Sequence, residues 1–161
     1  MILCFVPASR EVLDGLIADP AGITDFIDAE MERSKDLDKA WHGIHFMLTG
    51  DGGGGAMPQA TLLLGGVQIG DIDVGYGPAR ALSPEDTARF HEHISAISAE
   101  DFDSRFDAQA MLDQQIYPDI WDRDLAGDPD GRPYVNDFFQ DLKEIFAEAA
   151  GANEGMIIFM S

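Results

Sequence analysis

The chain has 161 residues, 45% of them apolar, with thirty acidic against ten basic side chains and a formal charge of -20. That length and apolar content predict one core and a single domain over 1–161, while the charge repels phosphate backbones and the scattered cations form no basic stripe, so nucleic-acid binding is not expected and a basic protein partner is. One cysteine permits no intrachain disulfide, no basic region leads the N-terminus, and no run approaches the ~18 apolar residues of a membrane helix, which together predict a cytoplasmic protein with no membrane partner.

Residues 2–6 form a continuous apolar run that stops at Pro7 and predicts a strand covered on both faces, with Cys4 as a small buried hydrophobe. Val12, Leu13, Leu16 and Ile17 repeat at helical spacing between Ala8 and Ala18, and Asp19-Pro20 ends them. Thr24 is placed to cap a second helix carrying Phe26, Ile27 and Met31, before the charged stretch 32–36. Asp38 is placed to cap a third from Lys39 to Thr49, which Gly50 ends, and the run Gly52 to Gly55 predicts a flexible surface loop.

Residues 59–64 fit a helical turn or a buried strand equally well, and 65–77, rich in glycine, predict an ordered loop with several turns. A brief strand over 79–82 leads into Ser83-Pro84-Glu85-Asp86, which combines a serine cap, proline at the first helical position and carboxylates in the first turn. That helix is expected to reach about Ile97. Ser98 repeats the start signal for one carrying Phe102 and Phe106, with a further turn or two through Met111 and Leu112. Residues 117–133, with three prolines and many aspartates, predict a long irregular connection. Val135, Phe138, Phe139, Leu142, Ile145, Phe146 and Ala149 then form one apolar stripe on a closing helix that Gly151 is placed to cap. A last apolar run, 156–160, predicts a strand beside the first, because buried backbone groups without ladder partners cost on the order of 1–3 kcal/mol each. The fold class is therefore α+β, a small sheet with the N- and C-terminal strands, covered by several amphipathic helices.

Several groupings bear on chemistry. Asp38, His42, His45 and Thr49 share one strip of the third helix, beside Trp41, and could present a carboxylate and two imidazoles; capping, solvation and a hydrogen-bonded place at the core edge are the stronger readings of these side chains. No metal site or cofactor is predicted from them. Gly75-Tyr76-Gly77-Pro78-Ala79-Arg80 fails as a dinucleotide fingerprint, since Arg80 stands at the third glycine position. Tyr76 and Arg80 could project toward an anionic or planar ligand, but a packed turn aromatic and an ion-pair partner are favoured. The aspartates from Asp128 to Asp137 do not complete a calcium loop, and His91-Glu92-His93 lacks the separation of a zinc helix. No nucleophile elbow or phosphate loop is present. From Glu100 to Glu148 fourteen acidic residues face four basic ones, which predicts a broadly negative surface.

The segment from Asp36 to Gly50, with Asp38-Lys39-Ala40-Trp41 and His45, and the segment from Gly75 to Glu85 resemble two motifs of the YfbM-like family of uncharacterised bacterial proteins; the closing helix and strand fit less specifically. The resemblance spans most of the chain. It implies an α+β fold and no activity, and the glycine run lies where members vary, which implies a poor place for shared chemistry. The leading expectation is a non-enzymatic binding or regulatory protein, of inhibitor or immunity type, acting on a basic protein. The alternative is a small enzyme or ligand-binding domain whose pocket joins the His45 helix to the Tyr76–Arg80 turn, with Asp38, Trp41, His42, His45, Tyr76 and Arg80 as ligand-binding residues.

Overall fold

A computed structural model of the chain describes residues 1–127 and 130–161. The N-terminal apolar run forms β1 (Leu3–Ala8), extending through the proline expected to end it. Leu3, whose carbonyl accepts from Leu37 N–H, and therefore Pro7, four residues on, point toward the next strand, which pairs only with Cys4 and Phe5. The N–H that Pro7 lacks would thus face an open stretch of edge. Ser9 caps α1 (Arg10–Ala18) by accepting from Val12 N–H. A 3-10 turn over Pro20–Gly22, capped by Asp19, runs directly into α2 (Ile23–Glu30), so Thr24 lies inside this helix and does not cap it.

Next come β2 (Lys35–Asp36) and α3 (Trp41–Thr49). Asp38 is not the cap of α3. It sits three residues before the first helical residue with φ of 42°, and its carboxylate accepts from the Tyr134 hydroxyl at 2.8 Å. Gly50 ends α3 in the left-handed conformation, as expected. The 59–64 ambiguity resolves as a single helical turn, α4 (Thr61–Leu64).

Residues 65–77 hold a strand, β3 (Val67–Asp73), where turns alone were expected. Its pairing with β4 (Pro78–Leu82) shifts register between Gln68 and Asp73, and Ile69 is its one buried residue, so no apolar alternation marks it in the sequence. The start signals at Ser83 and Ser98 hold: Ser83 accepts from Asp86 N–H at α5 (Pro84–Ser95), and Ser98 from Asp101 N–H at α6 (Ala99–Asp103). Then follow α7 (Ala108–Asp113), capped by Asp107, and α8 (Asp122–Leu125), a helical turn inside the connection expected to be irregular. Asp128 and Pro129, part of the rejected calcium loop, lie outside the described residues. The closing helix, α9 (Gly131–Gly151), keeps Gly151 as a helical residue; the left-handed stop is Asn153, with φ of 55°, before β5 (Gly155–Met160).

The strands form one antiparallel sheet in the order β2-β1-β5-β4-β3. The two end strands are its centre, with Leu3 opposite Met160 and Phe5 opposite Ile158. Alternation along them sends Leu3, Phe5 and Ile158 to one face, under α3, α5 and α9, and Cys4, Val6, Ile157 and Phe159 to the other, under α1 and α2. On the larger face Phe5 and Phe90 both meet the Phe146 ring edge-on, at 5.6 and 4.8 Å, and Phe102 stacks on Phe139 at 3.7 Å. Among the described residues no helix is long and apolar enough to cross a membrane.

Candidate functional site

The histidine strip of α3 is real, but its Nε2 atoms are turned to the backbone of the next loop. Thr49 and Gly50 end the helix, and the Asp51 carboxylate accepts from Gly53 N–H at 2.8 Å and Gly54 N–H at 2.6 Å, which folds the glycine run back as a bonded turn. Against that turn, His42 Nε2 donates to the Gly52 carbonyl at 2.6 Å and His45 Nε2 to the Gly54 carbonyl at 3.0 Å. His42 Nδ1 meanwhile accepts from Tyr117 N–H at 2.9 Å. An Nδ1 that receives an amide proton cannot hold its own, so His42 is the neutral Nε2–H tautomer. Burial pushes the pKa of both imidazoles down, His45 being fully buried.

The expected flexible loop is therefore clipped at two carbonyls. Trp41 stacks on His42 at 4.9 Å and donates through Nε1 to the Met1 carbonyl at 3.3 Å. Asp38 faces Tyr134 instead, so the carboxylate and the two imidazoles do not converge. The helix comes close enough for this because Gly43 packs against Val135 and Trp121, where a Cβ would lie 2.8 Å from Val135.

Between β3 and β4, Asp73 accepts from Gly75 and Gly77 N–H and holds the turn, with Tyr76 61% exposed at its tip and its N–H donating to the Met160 carbonyl at 3.0 Å. A left-handed φ of 149° and the nearness of the Met160 carbonyl make Gly75 essential to that approach. Arg80 is not an ion-pair partner. From β4 it reaches the end of α4, donating to the Leu62 carbonyl at 2.6 Å and to the Gly65 carbonyl, and no carboxylate among the described residues pairs with it. Helix-end carbonyls carry the negative end of the peptide dipoles and accept from the guanidinium without a net charge of their own. Burial draws the guanidinium down to about 10.

Tyr76 and Arg80 line one hollow of about 180 Å³ with Leu3, Leu63, Ile158 and Met160. Neither histidine contributes to its walls. The residues expected to share one pocket thus divide into a loop clip, Trp41, His42 and His45, and a separate hollow, Tyr76 and Arg80, with Asp38 in neither.

One acidic ridge is not marked out in the sequence. Asp137, Asp141, Glu144 and Glu148 recur at i, i+4, i+7 and i+11 along α9 and form one exposed ridge. Beside the short edge strand β2 the ridge bounds a groove of about 400 Å³, lined by Phe138 and Ile145, by Asp36, Asp141, Glu144 and Glu148, and by one cation, Lys35. A second hollow of about 430 Å³ shares Lys35, Ile145 and Glu148 and continues past Pro7 to Glu32, Arg33 and Glu154. Arg33 is spent on Glu30 at 3.0 Å and Glu154 at 3.3 Å. Among the described residues Asp36, Asp137, Asp141, Glu144 and Glu148 make no ion pair. The acidic excess and the helical period were both legible beforehand; the adjoining edge strand was not.

A family model described as a domain of unknown function, DUF1877, matches residues 1–159. A solved structure, that of a protein of unknown function, YfbM, from Escherichia coli, is similar over 98% of this chain and 98% of its own, with a TM-score of 0.75 and 18% identity, a likeness that shows the fold alone. No curated protein matches the chain.

Proposed function

The chain belongs to the DUF1877 family, a family of unknown function, and we propose from that premise that it is a cytoplasmic, non-enzymatic binding protein that holds a basic protein segment in the groove between β2 and α9. The observation that carries this reading is the unpaired ridge Asp137, Asp141, Glu144 and Glu148. Like charges at i,i+3 and i,i+4 destabilise a helix by about 0.2–0.5 kcal/mol per pair, and no ion pair among the described residues offsets this. A lysine- or arginine-rich partner would, and Phe138 and Ile145 in the lining suit the aliphatic stems of such side chains. The field of a -20 molecule raises the rate of encounter with a cationic surface and steers it toward the ridge. An inhibitor or immunity-type role against a basic protein follows from that complementarity.

The test is capture of partners at low and raised salt by the unaltered chain and by a triple variant, Asp141→Lys, Glu144→Lys and Glu148→Lys. We expect a basic protein that binds the unaltered chain at low salt, weakens as salt rises, and is lost from the variant. Recovery of no basic protein at either salt, or undiminished capture by the variant, sinks the reading.

A further inference from the structure

Arg80 is a largely buried cation in a molecule with thirty acidic side chains, and no carboxylate among the described residues pairs with it. Its guanidinium has five N–H donors and commits two hydrogen bonds, to the Leu62 and Gly65 carbonyls. Those neutral acceptors orient the group without cancelling its charge. A desolvated charge of this kind is stabilised by an anion delivered into the same low-dielectric space, and a guanidinium fork matches a carboxylate with two parallel bonds. The hollow it lines is otherwise apolar in its side chains, with Leu3, Leu63, Ile158 and Met160 on the walls and the exposed Tyr76 ring at the turn.

We propose that this hollow binds a small monocarboxylic acid with an apolar, ring-sized body, its carboxylate taken by Arg80 and its body packed against Leu63 and Met160 beside Tyr76. Size sets the class. At about 30 Å³ per water, 180 Å³ corresponds to roughly six waters, room for one ring or a short branched chain and its carboxylate. Chemistry narrows it further: the apolar walls reward a hydrocarbon body, and one guanidinium and the Tyr76 hydroxyl offer less to the second charge and further oxygens of a phosphate. The molecule's negative field opposes any anion at a distance, but that opposition is screened over about 8 Å at 0.15 M salt, whereas contact with Arg80 is not.

The inference is independent of the basic-partner groove, which lies beside α9 and shares no lining residue with this hollow. Its test is an amide NMR titration of the full chain at 0.15 M salt with benzoate, benzyl alcohol and inorganic phosphate as separate probes. Benzoate is expected to give saturable shifts at Tyr76, Arg80 and Met160, with benzyl alcohol at least about tenfold weaker because it lacks the charged acceptor. Phosphate is expected to leave those amides unmoved. Arg80→Gln is expected to abolish benzoate binding; since that change also removes the tie to α4, Leu63→Phe, which fills the hollow and keeps the charge, must abolish it as well. The inference is overturned if benzoate gives no saturable shift up to about 50 mM, well above the range of a weak fragment. Equal binding of benzyl alcohol, shifts from phosphate at the same amides, or retention by a folded Arg80→Gln or Leu63→Phe protein would overturn it too.

Discussion

Replacing His42 by alanine removes three interactions at once, and each has a size. Lost are the bond to the Gly52 carbonyl, the acceptor for Tyr117 N–H, and the stack against Trp41. A net hydrogen bond is worth about 0.5–1.5 kcal/mol, more where its partner stays buried and unpaired, and an aromatic stack about 0.5–1.5 kcal/mol. Part of the loss is recovered when water reaches the freed backbone, so His42→Ala is expected to cost about 2–4 kcal/mol. Urea unfolding would show this as a lower midpoint at unchanged slope.

The same clip makes stability depend on pH. Both histidines have pKa values pushed below the ordinary value of about 6.5, so the unfolded chain binds protons that the folded chain refuses. Their stabilising contribution is complete above about pH 6.5, falls as pH drops from there toward the depressed folded values, and levels off below them. The slope is at most about 1.4 kcal/mol per pH unit for each histidine, and His42→Ala is expected to remove its share below about pH 6.5. A variant within about 0.5 kcal/mol of the parent, a difference typical of a plain surface substitution, would refute the clip. So would an unaltered pH slope.

Two further outcomes follow from the packing and the ridge. Gly155→Ala is expected to lower stability by about 1–3 kcal/mol in thermal unfolding, because a Cβ there meets the Leu82 carbonyl of β4 and the Leu13 side chain of α1 at once. Glu144→Gln is expected to raise the melting temperature slightly, with the gain shrinking as salt is added, since it relieves repulsion from Asp141 and Glu148 on the same ridge of α9. A destabilised Glu144→Gln would mean that the ridge has a structural partner.

Local physics made much of the fold legible. Ser83 and Ser98 start their helices through contacts within a few residues, and Gly50 ends α3 by its own φ, so each signal is complete within its own segment. The two unbroken apolar runs at the ends had to be strands covered on both sides, and their pairing as the centre of the sheet satisfies the backbone groups that such burial strands. Thr24 and Asp38 fit the same cap pattern and failed because of events outside it. A 3-10 turn began the helix ahead of Thr24, and Tyr134, ninety-six positions away, took the carboxylate of Asp38.

What the sequence alone determined was the α+β class, the paired end strands and an acidic surface, because burial periodicity, helix caps and net charge are written in residues close together or in their sum. Tertiary structure decided the rest. It put the edge strand β2 beside the acidic ridge, gave Arg80 two carbonyls in place of a carboxylate, and left the histidines out of the hollow that Tyr76 lines. A polar side chain's partner is chosen by whichever segment the fold brings within about 3 Å, and that distance has no image in the spacing of residues along the chain.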